Sequence, residues 1–302
     1  VTWDVNRKWL RRNSLPVMLI ELARKNEKIV AITAAMKDGT GLSEFAKEFP
    51  NRFFDVGIAE QHAIGFAAGL AKNGMTPVVP IYSSFYQRSF DQVIHDVCIQ
   101  NLGIVMCVDR AGIVGNDGET HQGVFDLSFF SIIPNIVIMA PKDFYELKTM
   151  LEYAVTLKKP VVIRYPRGGE GKIKFDIHEK LKLGQAEVLK TGNDITIIAI
   201  GKMVERGIEI ANLLEEQGKS VEVINVRFLK PIDKQTILES IKKTKNVVTI
   251  EDNIIKGGLG SRVAELINEE NIKNTKFKKY GYPDEFIKHG SISEIEKKYG
   301  LD

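Results

Sequence analysis

Three stretches of this sequence hold side chains whose types and spacing suit proton transfer and anion capture. DVGIAEQHAIGFAAGLA (55–71) sets one carboxylate, Glu60, in the first turn of a helix whose other residues are mostly small or apolar. Glutamate is rarely buried unless it is paired or at work, and a helix that packs closely on both sides leaves Glu60 two readings. One is an exposed first-turn carboxylate favoured by the helix dipole. The other is a buried carboxylate that hydrogen-bonds an ionisable ring nitrogen.

The second stretch, RAGIVGNDGETHQG (110–123), carries Gly112, Gly115, Gly118 and Gly123, with Asp117 and His121 four residues apart. Glycines at this density let backbone approach a ligand and adopt dihedrals that other residues resist. The competing reading is a surface loop with Asn116-Asp117-Gly118 as an ordinary turn. Asp117 and His121 have no third ligand nearby, so no metal site is expected. The third group is cationic: Arg110, Arg164 and Arg167 follow β-branched runs, where a guanidinium can grip a phosphate through two parallel hydrogen bonds. Salt bridges to Asp109 and Glu170 are the alternative, as is an Arg88–Asp91 pair on a helix face.

Other signals read as structural. Lys256-Gly257-Gly258-Leu259-Gly260-Ser261 is neither GxGxxG nor a Walker sequence and reads as a tight turn before a packed helix. His62, His95 and His178 read as core, helix-surface and connector residues, and His289 as a helix C-terminal residue ahead of its glycine cap.

A scaffold must bring these stretches together. From Ser14 onward short β-branched runs alternate with amphipathic stretches, the signature of βαβ units around a parallel sheet. The first block reads as strands at 28–33, 76–82, 103–109, 135–141 and 160–166, with helices at 14–25, 59–73, 84–100 and 142–157. The second reads as strands at 195–201, 220–226 and 246–252, with helices near 202–217, 234–242 and 259–269. A connector rich in glycine and lysine lies near 168–185. The expectation is an α/β chain of two doubly wound domains, 14–175 and 185–302, with a linker or non-native segment at 1–13 and a short helix at 291–299 closing a polar tail. Ligands of open sheets bind beyond the carboxyl ends of the strands, where the polar residues of the first block fall.

Composition narrows the classes. No apolar run approaches the roughly 18 to 20 residues needed to cross a bilayer, and a net charge of +3 in 302 residues argues against nucleic acid or an anionic membrane as the main partner. Cys98 and Cys107 lack CxxC or metal spacing and are expected as buried thiols in a reducing, cytoplasmic compartment. The start at Val1, without an apolar leader, leads to the expectation of a missing upstream portion.

DVGIAEQHAIGFAAGLA, IYSSFYQRSFDQVIHDVCIQN, DRAGIVGNDGETHQGVFDLSFFSIIPNIVIMAP and VIRYPRG together resemble the 1-deoxy-D-xylulose-5-phosphate synthase family of the thiamine-diphosphate transketolase group. The resemblance runs from about Glu21 to the end, where PDEFIKHGSISEIEKKYGLD is also similar to this family. It implies a transketolase-like pyrimidine-binding domain followed by a transketolase C-terminal-like domain, thiamine diphosphate with Mg2+ as cofactor, and a homodimer. Pyruvate and glyceraldehyde 3-phosphate would be the substrates, joined with loss of carbon dioxide to supply isoprenoid and thiamine synthesis. By position, Glu60 matches the glutamate that protonates the aminopyrimidine ring, and Phe85 the aromatic that stacks on it. Tyr82, Arg88, Asp117 and His121 match residues near the substrate, and His121 would steady an alkoxide or exchange a proton. Arg110 and Arg167 match the phosphate anchors.

The family's N-terminal domain, which holds the diphosphate and magnesium through Gly-Asp-Gly and a later Asn, has no match here. The Asp-Gly pairs are Asp38-Gly39 and Asp117-Gly118, and neither continues that pattern. The chain by itself is therefore expected to be silent. The other readings are transketolase itself, the β-type subunit of a 2-oxo acid dehydrogenase, or a noncatalytic assembly scaffold; DGETHQGVFDLS with RYPRG favours the synthase.

Overall fold

The computed structural model describes residues 15–169, 171–175 and 180–302. The expectations for residues 1–13, Glu170 and His178 lie outside them. In the first half the order is α1 (Leu15–Lys25), β1 (Ile29–Thr33), α2 (Ser43–Glu48), β2 (Phe53–Asp55), α3 (Glu60–Lys72) and β3 (Thr76–Tyr82). A helical run over 83–98 follows, then β4 (Val105–Asp109), α4 (Asp126–Ser131), β5 (Val137–Met139), α5 (Phe144–Leu157) and β6 (Val161–Arg164). The second half holds β7 (Glu187–Lys190), β8 (Ile195–Ala199), α6 (Met203–Glu216), β9 (Val221–Asn225), β10 (Phe228–Lys230), α7 (Lys234–Thr244), β11 (Asn246–Ile254), α8 (Leu259–Glu269), β12 (Lys276–Tyr282) and α9 (Ile292–Tyr299).

Two sheets result, a seven-stranded one in the order β10-β5-β6-β4-β3-β1-β2 and a five-stranded one in the order β12-β11-β8-β9-β7. All pairs are parallel except β10 with β5 and β7 with β9. Every residue of β1 and β6 is buried, as expected of central parallel strands covered by helices on both faces. The core of the first sheet is split between those faces, with Ile32, Val79, Met106 and Val162 on one side and Ala31, Val78, Cys107 and Ile163 on the other. That is the period-two alternation of a strand. Cys98 and Cys107 are buried free thiols whose pKa burial pushes up.

Four strands escape the periodicity reading. β2 and β10 span three residues each, too few to establish alternation. β7 is an edge strand of four residues. β12, KFKKYGY, is also an edge strand whose lysines blunt it against further pairing. β10 belongs to the second half by sequence, yet it extends the first sheet. The run 83–98 is not one helix either; it passes through α, 3-10, α and π segments.

Buried charge joins the two halves. Lys142 and Arg227 neutralise Glu146 and Glu187 at 2.7–3.3 Å, and the Asn225 amide donates to both carboxylates. Arg164, at the end of β6, binds Asp126 of α4 at 2.7 Å and Asp252 of β11 at 2.5 Å. Beside it, Glu251 accepts the Leu259 and Gly260 N–H groups at the start of α8, both at 2.8 Å.

Burial pushes the Glu251 carboxyl from its usual 4.5 up to about 7, against the pull of those two N–H groups and of Arg164. Its folded value lies above its unfolded value, so the folded state keeps the proton longer. The stability this group contributes is therefore lost as pH rises from about 4.5 to about 7. Glu251→Gln is expected to flatten the fall across that window, read as denaturant midpoints at pH 5 and pH 8. An unchanged pH slope in the variant would refute the assignment.

Candidate active site

The order of the central strands explains which residues meet. β4 lies between β3 and β6, so their carboxyl ends are adjacent, with Tyr82 in register with Asp109 and Val108 in register with Arg164. Tyr82, Arg110 and Arg167 thus leave the sheet side by side. Arg110 turns away from its strand at φ +58, a left-handed conformation that costs about 1–3 kcal/mol in a non-glycine residue and clusters at working sites.

A chain of contacts links six of the residues singled out above. The Arg110 guanidinium lies 3.8 Å over the Tyr82 ring. The Tyr82 and Phe85 rings are 5.5 Å apart, and Phe85 meets the His121 ring at 5.2 Å, tilted by 66°. Arg110 Nη1 donates to Asp117 Oδ2 at 3.2 Å, and Arg167 Nη1 donates to the same oxygen at 2.8 Å. Asp117 thereby holds two guanidinium groups that would otherwise repel. His121 Nδ1 lies 2.9 Å from the Thr120 hydroxyl.

The glycines of the loop permit this closeness. Gly112 and Gly123 pair across its base, and a Cβ on Gly123 would stand 2.3 Å from the Arg110 carbonyl. Gly39, absent from the sequence expectations, lies under the Tyr82 hydroxyl, where a Cβ would come within 1.8 Å. In the sequence it stands out only as half of the Asp38-Gly39 pair, which does not continue the diphosphate motif. Burial raises the Tyr82 hydroxyl above its usual range, with the Arg110 charge opposing. Burial also brings Asp109 from 3.8 to about 6, against the Arg110 N–H and the charges of Arg110 and Arg167.

Glu60 and Arg88 stand apart from this chain of contacts. Glu60 is 2% exposed, so the exposed first-turn reading does not hold, and its Oε2 has no hydrogen-bond partner among the described residues. Its helix α3 packs against the run 83–98 that carries Phe85. Arg88 is exposed on that run and forms no ion pair with Asp91 among the described residues. Three expectations are corrected. Arg164 is saturated by Asp126 and Asp252 and is unavailable to a phosphate. His62 is exposed and stacks on Phe66 rather than entering the core, because it falls on the open side of α3. His289 ends no helix; it lies in the irregular segment ahead of α9. Among the described residues, no group of three or more His, Cys, Asp or Glu side chains converges as a metal site.

Residues 12–169 match the family model of the transketolase pyrimidine binding domain, and residues 184–302 that of the transketolase C-terminal domain. The 1-deoxy-D-xylulose-5-phosphate synthase of Caldanaerobacter subterraneus subsp. tengcongensis is 54% identical over 284 residues, covering 94% of this chain and 46% of the relative. That of Natranaerobius thermophilus is 51% identical, covering 93% and 45%. This chain spans about half the length of the curated relatives it matches. A solved split gene transketolase, described as an inactive beta4 tetramer, superposes with a TM-score of 0.86 at 34% identity, covering 96% of this chain and 93% of that one. Transketolase from Campylobacter jejuni shares the fold, with a TM-score of 0.80 at 19% identity over 99% of this chain and 49% of that one. The parallel sheets, the loop at their carboxyl ends and these matches lead to one conclusion: the chain belongs to the transketolase family, of which it comprises a pyrimidine-binding and a C-terminal domain.

Proposed function

We propose that this chain is the pyrimidine-binding and C-terminal part of a 1-deoxy-D-xylulose-5-phosphate synthase, a thiamine-diphosphate-dependent enzyme that joins pyruvate to glyceraldehyde 3-phosphate and releases carbon dioxide. The buried, unpartnered Glu60 Oε2 carries the reading, because a carboxylate is costly to bury unless a ligand completes it. The residues fit one end of the cofactor: Glu60 offers a carboxylate to a ring nitrogen and Phe85 a flat apolar face. When bound, thiamine diphosphate would supply an acidic C–H whose conjugate base, once its proton is removed, is the nucleophile for the carbonyl of the 2-oxo acid.

Glu60 Oε2 would serve as the site at which a proton is exchanged with a ring nitrogen of the bound cofactor. Arg110 and Arg167, held together by Asp117 Oδ2, receive the phosphate of the aldehyde through their remaining N–H groups. Phosphate held there sets the aldehyde at a fixed distance from the imidazole of His121, which protonates or steadies its developing alkoxide. Tyr82 closes the wall between anchor and ring, and Arg88 lines the exposed approach. Residues 14–175 form the pyrimidine-binding unit and 185–302 the C-terminal unit. Mg2+ and the cofactor diphosphate belong to a third domain, and the enzyme works as a cytoplasmic homodimer.

The chain by itself is expected to be silent, a reading supported by its coverage of about half of each relative and by the inactive beta-chain tetramer it resembles. The test mixes it with Mg2+, thiamine diphosphate, pyruvate and glyceraldehyde 3-phosphate, with and without the diphosphate-binding domain of a relative. Product is expected only with that domain present. Steady turnover by the chain alone, or a preference for ketose phosphate over pyruvate, would overturn the proposal.

A further inference from the structure

The loop that carries Asp117 and His121 grows out of the first sheet, but much of what fixes it comes from the second domain. Gln122 is its inward-facing residue, 2% exposed beside a His121 that turns towards Phe85. Gln122 Oε1 accepts the Val114 N–H at 2.8 Å. Its Nε2 donates towards the Gly115 carbonyl at 3.3 Å and, across the domain boundary, the Lys288 carbonyl at 3.4 Å. One buried amide thus spans both arms of the loop and the segment 284–292 of the C-terminal domain. That segment adds close packing. A Cβ on Gly115 would lie 3.1 Å from the Gly290 carbonyl and 3.3 Å from Ile292, and one on Gly118 would lie 3.5 Å from His289. Further along, the Val124 carbonyl accepts the Ile254 N–H at 2.7 Å.

We propose that the C-terminal domain, through its segment 284–292 and the amide of Gln122, sets the position of Asp117 and His121, with Gln122 as the positioning residue. The identity of the site rests on the functional reading above; the mechanical clasp does not. Gln122 touches no reacting atom in this scheme. It acts by holding the loop arms at the separation that aims His121 across Phe85 and keeps Asp117 on both arginines, where a displacement of about 1 Å costs on the order of 100-fold in rate.

Two variants separate the contacts. Gln122→Ala removes all three, whereas Gln122→Glu keeps the acceptor for Val114 and deletes the donor to Gly115 and Lys288. Amide hydrogen exchange on the protein assembled with its diphosphate domain reads the clasp directly. Exchange at Val114 is expected to rise at least about 10-fold in Gln122→Ala and to stay near wild type in Gln122→Glu, with amides 115–121 faster in both and the β4 amides unchanged. In steady state, KM for glyceraldehyde 3-phosphate is expected to rise about 10- to 100-fold in both variants, with KM for pyruvate within about threefold of wild type. Unchanged exchange over 115–121 in both variants overturns the proposal, as does a uniform rise of both KM values. A wild-type assembly without synthase activity would count against the functional reading, while the exchange data would still decide the clasp. If Gln122→Ala fails to fold, Gln122→Glu carries the same test.

Discussion

Replacing Glu60 with Gln is expected to lower kcat of the assembled enzyme by about 10²- to 10⁴-fold, the range spanned by a positioned acid–base group. The side chain keeps its shape and loses only the capacity to take up and return a proton at Oε2. No hydrogen bond of the fold depends on that oxygen, which is buried without a partner among the described residues. The melting midpoint should therefore hold or rise, since a neutral amide is cheaper to bury than a carboxylate. Loss of turnover together with retained stability is the signature of a group kept for a ligand. Turnover within about threefold of wild type would remove Glu60 from the chemistry, and a collapse in stability would make it structural. Cofactor binding measured by calorimetry should weaken in parallel with kcat.

The second large effect concerns stability. Arg164→Met should cost about 3–5 kcal/mol of unfolding free energy, because it strands Asp126 and Asp252 in an interior that cannot solvate them. Burial already raises the Asp126 carboxyl above its usual range while the Arg164 charge opposes it. Without the arginine that rise grows, and the folded state of the variant binds a proton that the unfolded chain releases. Its deficit should consequently be larger at pH 8 than at pH 5. Changing all three residues together, to Met, Asn and Asn, should cost much less, since no charge is then left unpaired. Denaturant titrations at the two pH values check both statements; a loss under about 1 kcal/mol for Arg164→Met would show that the pair is not desolvated. The effect extends to the loop at 110–123, because a Cβ on Gly112, at φ +79, would lie 2.3 Å from Asp252 Oδ2.

Arg164 and Arg167 show where reading a sequence stops. They fall at the end of the same strand, three residues apart, and both suit a phosphate by type and place. One is locked between two carboxylates and the other reaches the exposed Asp117. The difference comes from Asp252, which is 88 residues away along the chain from Arg164 and belongs to the other sheet. Gln122 carries the same lesson, since its bond to Lys288 spans 166 residues. His62 illustrates the converse: it lies in an apolar-looking helix, but the elements packed around a helix decide which face is covered, and α3 leaves that face open.

The amino-acid sequence determined what depends on neighbours along the chain. Apolar runs with period two or none specify the central strands, longer amphipathic stretches specify most of the helices, and glycine spacing marks the loop over 110–123. Through the strand ends it also nominated Arg110 and Arg167 as anion binders, and the family resemblance added Tyr82. Only the tertiary structure decided which charged groups lose their water, which domain edge takes β10, and which segment of the second half backs the loop over 110–123. Burial and pairing are properties of what lies opposite in space, and no local pattern records what a residue far along the chain will place there.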